Sequence, residues 1–189
     1  MSVPALVAPA LAALCVLFAL LYLAARRLDN YGIVDIAWSY AFGALAVFYA
    51  LGGPGWPVRR ALLAAMAVVW SARLGTHLFI RVAAHHPEED GRYKALRTEW
   101  GARFGARMFG FFQLQAVSVV VLGAPFLIGA LNPAPALRGC EIAGVCLWLV
   151  ALSGEAVADR QLAAFKRREA GRGDVCDLGL WRYSRHPNY

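Results

Sequence analysis

The sequence predicts an all-α fold: a polytopic transmembrane helix bundle of about five spans, with one further helix lying on its cytoplasmic surface. Three observations lead there. Apolar residues make up 60% of the 189-residue chain and charged residues 16%, with a mean hydropathy of +0.51. Soluble domains carry nearer ~25% charged residues, and a chain this small buries too little surface to hide such an excess in one core. The apolar residues are gathered into five stretches of the length that crosses a bilayer, ~20 residues each. Clusters of glycine and proline fall between those stretches, where backbone polar groups meet water.

The stretches cover residues 4–25, 33–51, 61–80, 113–131 and 140–157. A Gly-Gly-Pro-Gly-Trp-Pro run at 52–57 predicts a tight turn between the second and third. Asn-Pro-Ala-Pro at 132–135 predicts another between the fourth and fifth. No internal repeat or low-complexity linker divides the chain, so residues 1–189 are read as a single membrane domain.

Charge sets the orientation. A net charge of +7 in a soluble protein would suggest nucleic acid as a partner. Here the basic residues are sorted by loop. Fifteen lie after the first, third and fifth stretches, whereas Arg59, Arg60 and Arg138 are the three in the opposite loops. Basic loops stay cytoplasmic. The expected placement is a bacterial inner membrane, with the N-terminus outside, the long tail inside and no nucleic-acid partner. Arg26 and Arg27 follow the first stretch and no basic residue precedes it. A cleaved signal peptide has the reverse order, so the segment is read as a retained anchor.

Between the third and fourth stretches, Tyr93, Leu96, Trp100, Phe104 and Met108 recur three or four residues apart, with Arg92, Lys94, Arg97 and Arg103 off that stripe. The pattern predicts a helix lying flat on anionic lipid of the inner leaflet, or one packed on the spans. The cysteines, Cys15, Cys140, Cys146 and Cys176, form no C-x-x-C pair and lack zinc or haem spacing. His85 and His86 are adjacent, and adjacent histidines suit a shared metal poorly because neighbouring side chains tend to diverge. No metal site is expected.

Ionisable residues inside spans are costly and tend to be functional. Asp35 lies near the cytoplasmic end of the second stretch and shares a helix face with Trp38 and Ser39. It is expected to pair with Arg73 of the third stretch, or to line an internal cavity. If the fifth helix runs on past its apolar part, Glu155 and Asp159 share a face one turn apart, followed by Lys166, Arg167 and Arg168. Arginine suits phosphate. Anionic lipid would account for the basic run, but not for the two acids. The tail closes with Arg182, Tyr183, Arg185, His186, Asn188 and Tyr189. Aromatic rings there would stack on a planar base, and basic groups would hold phosphate.

Gly-Leu-Trp-Arg-Tyr-Ser-Arg-His-Pro-Asn-Tyr at 179–189 resembles the signature of a membrane superfamily that includes steroid 5-alpha-reductases, sterol C14 reductases and isoprenylcysteine carboxyl methyltransferases. Val34 to Trp38, Arg92 to Phe104 and Glu155 to Lys166 are similar to the bacterial DUF1295 branch, described as steroid 5-alpha-reductase-like. The segment 158–166 is similar to the reductase pattern of Asn, any residue, Gln, Lys, two residues, Phe, Arg. Leu162 stands where the pattern has its lysine. The resemblance implies a cofactor site over 155–189. Glu155, Asp159, Gln161, Lys166, Arg182, Tyr183, Arg185, His186 and Asn188 would bind NADPH there, with Asn188 at the nicotinamide amide. The family pattern continues past Asn-Tyr with Phe-Gly-Glu and a further membrane segment, so the chain is expected to be C-terminally truncated.

The implied activity is NADPH-dependent reduction of a carbon–carbon double bond in a lipophilic, steroid- or isoprenoid-like substrate. Asp35 or Tyr189 would be the catalytic hydrogen-bond donor to the enone oxygen. The alternative is an S-adenosylmethionine-dependent membrane methyltransferase, since those relatives share Arg-His-Pro-x-Tyr. A second alternative is a non-catalytic lipid-binding protein.

Overall fold

The computed structural model describes residues 2–85, 88–168 and 175–188. Tyr189, one of the two catalytic candidates, lies outside the described residues, as does His86. The helices are α1 (Val3–Leu28), α2 (Ile33–Gly52), α3 (Pro57–His85), α4 (Gly91–Trp100), α5 (Phe104–Leu122), α6 (Ala124–Leu131) and α7 (Gly139–Arg168). Short 3-10 turns lie at Gly101–Arg103 and Gly179–Arg182. The described residues contain no strand. Five helical segments are long and apolar enough to cross a membrane: Val3–Leu28, Ile33–Gly52, Pro57–Ala84, Gly91–Leu131 and Gly139–Arg168. The chain forms two compact units, Met1–Pro135 and Ala136–Tyr189.

In the first unit, α1 buries Leu6, Ala10, Leu14, Phe18, Tyr22 and Ala25, spaced by one helical turn. Its outer face is just as apolar, with Val16, Leu20 and Leu23 exposed. A helix that is apolar all round belongs in lipid. Asp29 ends α1 in the left-handed region at φ 48°, its N–H returning to the Ala25 carbonyl. Beside α1, Pro9, Ala13, Leu17, Ala44 and Phe48 line an apolar groove of about 380 Å³ against α2.

The α2–α3 pair is held by an interlock. Ser71 Oγ donates to the Ser39 carbonyl (2.5 Å) and accepts from Gly43 N–H (3.2 Å). Both groups belong to one i, i+4 rung of α2. The approach requires glycine: a Cβ on Gly43 would lie 2.9 Å from Ser71 Oγ.

The turn over residues 53–56 forms as predicted and is tied to the end of α6. Gly55 N–H donates to Ala130 O (2.9 Å) and Trp56 N–H to Asn132 O (3.0 Å). Arg59, only 2% exposed, donates to Ala134 O (2.7 Å) and Asn132 O (3.2 Å). Arg60 donates to Ala50 O (2.7 Å) and to Gly53 O. It thus serves carbonyls at the C-terminal end of α2, where a cation is favoured. The sequence presented these two arginines only as loop charges; the structure uses them as backbone ligands.

The fourth span departs from its expected limits. Helix begins at Phe104 rather than near 113 and breaks at Gly123, ahead of Pro125. The proline supplies no N–H to continue the α5 ladder. The stripe over 93–108 is also divided. Gly101, at φ 46° and ψ −127°, ends α4 in a conformation suited only to glycine. The stripe still faces inward: Tyr93, Phe104 and Met108 are buried, and Leu96 and Trp100 pack against the core. α4 is therefore a helix packed on the bundle.

In the second unit, α7 runs well past its apolar stretch to Arg168. At its start, Glu141 accepts from Arg138 N–H (2.8 Å), closing one of the open backbone donors. Leu147, Leu149 and Val150 lie exposed along it, whereas Ala158 is fully buried.

Candidate functional site

The second unit gathers part of the predicted cofactor constellation. From the 3-10 turn onward, the tail lies on α7 through three hydrogen bonds to residues within one helical turn. Trp181 Nε1 donates to Ala158 O (2.9 Å), Leu180 N–H to Gln161 Oε1 (2.9 Å), and Asn188 Nδ2 to Asp159 Oδ1 (3.0 Å). Gly179, at φ 58°, packs on the Gln161 side chain, and a Cβ there would collide with it. Two segments chosen separately from the sequence, 155–166 and 179–188, thus form one surface.

The members of that surface divide into two groups. Asp159, Gln161 and Asn188 are engaged at the junction. Arg182, Tyr183, Arg185 and His186 stand exposed along the tail, and Lys166, Arg167 and Arg168 are exposed in the last turn of α7. Glu155 lies one turn before Asp159 on the same helix. The arrangement offers a half-buried polar seam flanked by cations that are open to an anion. Sequence reasoning missed Trp181 as an anchor. The signal available was an indole N–H, a donor that seeks a partner when buried, beside a helix rich in small residues.

The first unit holds the other candidate, Asp35. Arg92 Nη2 donates to its Oδ2 (2.8 Å) and Tyr93 Oη to its Oδ1 (3.0 Å). Arg92 of α4, rather than Arg73, is therefore its cationic partner. Tyr93 is 2% exposed and seals the carboxylate from the core side. Both oxygens accept, the bonding pattern of a carboxylate.

Arg92 also reaches Asp90 Oδ1 (3.1 Å), and Asp90 takes Arg81 Nη2 on its other oxygen (2.9 Å). Asp90 caps α4 by accepting from Arg92 N–H (3.0 Å). Hydrogen bonding from the Arg92 guanidinium, against an opposing cost of burial, holds the Asp90 carboxyl below its ordinary range. Alongside, Arg97 bridges Asp29 (2.8 Å) and Glu89 (3.3 Å) and lies over the Phe104 ring at 4.8 Å. Glu89 also accepts from Tyr31 N–H (3.0 Å). Burial pushes the Tyr31 phenol up. A cleft of about 330 Å³ opens beside this network, lined by Asn30, Arg81, Glu88, Asp90 and Lys94.

A protein-family comparison matches residues 21–189 to a family described as a protein of unknown function, DUF1295. The chain belongs to the DUF1295 family. No curated protein and no solved structure gives a significant match to it. In this DUF1295 protein the matched region spans both the Asp35 network and the tail seated on α7.

Proposed function

We propose that this DUF1295 protein is a membrane-embedded, NADPH-dependent reductase of a carbon–carbon double bond in a lipophilic substrate. The observation that carries the reading is the tail motif seated on α7 through Asp159 and Gln161, beside Lys166, Arg167 and Arg168. A dinucleotide needs a polar seam for its nicotinamide end and cations for its phosphates, and this surface carries both. The bound cofactor would supply a hydride. The protein's own residues would hold the phosphates through Lys166, Arg182 and Arg185, and offer aromatic and imidazole faces from Tyr183 and His186. Glu155 extends the acidic face of α7 toward the same ligand. Asp35 accepts at both oxygens, which favours it as the anchor of the α2–α4 junction. In this reading Tyr189 is then the hydrogen-bond donor to the substrate oxygen. The apolar groove between α1 and α2 is a surface suited to lipid or to a lipophilic substrate chain.

The test is calorimetric titration of the purified full-length protein, with the family's segment that follows Asn-Tyr, in detergent with NADPH, NADH and S-adenosylmethionine. The 2′-phosphate of NADPH adds roughly −1.5 to −2 charge near neutral pH, and each charge-assisted hydrogen bond contributes ~1.5–3 kcal/mol. NADPH is expected to bind at least about tenfold more tightly than NADH. Charge reversal of Lys166, Arg167 and Arg168 together should abolish that preference in a folded protein. Tight S-adenosylmethionine binding without an NADPH signal would establish the methyltransferase in its place. Silence toward all three in a folded sample would leave the lipid-binding reading.

The proposed orientation, a bacterial inner membrane with the N-terminus outside and the tail cytoplasmic, rests on the basic-residue asymmetry. A cysteine placed at Gly55, in the 53–56 turn, should react with an impermeant thiol reagent on intact cells. Reaction only after permeabilisation would reverse the topology.

A further inference from the structure

The cleft of about 330 Å³ in the first unit lies between the start of α2, the end of α3 and the start of α4, and its polar groups are unevenly engaged. Two of its acids are taken. Glu89 accepts from Tyr31 N–H and Arg97, and Asp90 from Arg81 and Arg92. Asn30, only 3% exposed, lines the same cleft. Its Oδ1 accepts from Gly32 N–H (3.0 Å), which only the oxygen end of the amide can do. The NH2 end, with two donors, has no hydrogen-bond partner among the described residues. Leaving such a donor unmet inside the protein is costly, so the cleft calls for a ligand that brings an acceptor. Lys94 and Glu88 are exposed members of the lining, and neither side chain is paired among the described residues.

These groups match a zwitterion. An anionic oxygen answers the Asn30 NH2 with two cations, Arg81 and Lys94, in the same lining. A purely anionic ligand would be repelled by Glu88, whereas an ammonium group satisfies it. The surroundings are those of a membrane surface. Phe79 and Ile80, directly before Arg81, are 57% and 61% exposed, and the apolar span of α3 ends at Ala84. The cleft therefore opens where α3 leaves the lipid, at the level of the headgroups. We propose that it binds the headgroup of a phosphatidylethanolamine lipid, with the phosphate oxygens at Asn30, Lys94 and Arg81 and the ammonium at Glu88. Sites that enclose whole small molecules run from ~300 to 1,000 Å³, so this cleft suits a headgroup whose chains stay in the bilayer. The site is separate from the tail seated on α7 and does not depend on the reductase reading.

Native mass spectrometry of the intact protein in detergent tests this by counting bound ligand during titration. The probes are dioleoyl phosphatidylethanolamine, dioleoyl phosphatidylglycerol, which keeps the chains and phosphate but has no ammonium, and glycerophosphoethanolamine, which keeps the headgroup without the chains. Phosphatidylethanolamine is expected to bind about threefold more tightly than phosphatidylglycerol, the scale of one exposed ion pair. Glu88→Gln should remove that preference, and Lys94→Gln should weaken both lipids by about threefold. Asn30→Asp keeps the oxygen that Gly32 needs but replaces the NH2 donor with negative charge. It should weaken phosphatidylethanolamine by about tenfold or more. Thermal melting identifies a variant that fails to fold. Should Asn30→Asp do so, the exposed positions Glu88 and Lys94 decide. Equal binding of the two lipids by the unaltered protein overturns the proposal, as does a full preference that persists in folded Glu88→Gln. Glycerophosphoethanolamine bound as tightly as the lipid would assign the cleft to a soluble phosphodiester and overturn the lipid. Absence of bound phosphatidylethanolamine overturns the site altogether.

Discussion

Tyr93→Ala is expected to lower stability in detergent by about 3–5 kcal/mol, the range for deleting a buried aromatic side chain. Two losses combine. The ring is 2% exposed and packs edge-on against Phe111, with centroids 6.4 Å apart. Its hydroxyl donates to Asp35, whose side chain is 26% exposed. Tyr93→Phe separates the two by keeping the ring. It removes one bond to a charged acceptor, worth ~1.5–3 kcal/mol in general, and the partial exposure of Asp35 places the expected loss near the lower end. Thermal unfolding followed by circular dichroism distinguishes them. Equal losses in the two variants would mean that the hydroxyl alone matters and the ring contributes nothing by packing.

Gly43→Val is expected to cost about 3 kcal/mol, at the upper end for overpacking, through the α2–α3 interface. The new Cβ would meet Ser71 Oγ at 2.9 Å and Ser71 Cβ at 3.1 Å, and Val68 Cα at 3.4 Å leaves the backbone little room to retreat. The same clash can be relieved by design. Gly43→Ala alone should be destabilising, whereas Gly43→Ala combined with Ser71→Gly opens the space the methyl group needs. The paired change should cost less than the sum of its parts, since residues in contact couple. Strict additivity in melting experiments would show that Ser71 does not set the α2–α3 distance.

The spans were legible because lipid imposes a one-dimensional rule: every backbone group pairs within its own helix, and the side chains around it are apolar for the width of the bilayer. Hydropathy therefore located α1, α2, α3 and the apolar part of α7, whereas the polar continuation that puts Glu155 and Asp159 on one face stood only as a condition that the structure meets. The inward stripe from Tyr93 to Met108 was equally readable. Its division at Gly101 was not, because periodicity reports which face is apolar and not where φ changes sign. The partner of Asp35 was misread for a related reason. The 3.6-residue repeat fixes a residue's angle on its own helix, but not the angle at which a neighbouring helix presents its face. Arg73 lies in the next span, whereas Arg92 arrives from α4, 57 residues along the chain. In the candidate site, the motif pointed to Asn188 and Asp159 separately. Nothing in their spacing told that one would hold the other.

The Ser71 hydroxyl has a consequence for how the two spans pair in lipid. It bonds both the acceptor and the donor of one rung of α2, so the following span shares in that helix's polar pairing. A transmembrane helix that inserts by itself must satisfy its own backbone before it meets any neighbour. α3 therefore adds to α2, at this rung, a polar partner that α2 alone does not have. The four-residue turn between them, tied down by Arg60 at its near end, keeps the two at the high local concentration that such a pairing needs. Residues 33–85 thus form a helical hairpin whose two spans share polar partners within the bilayer as well as across their turn.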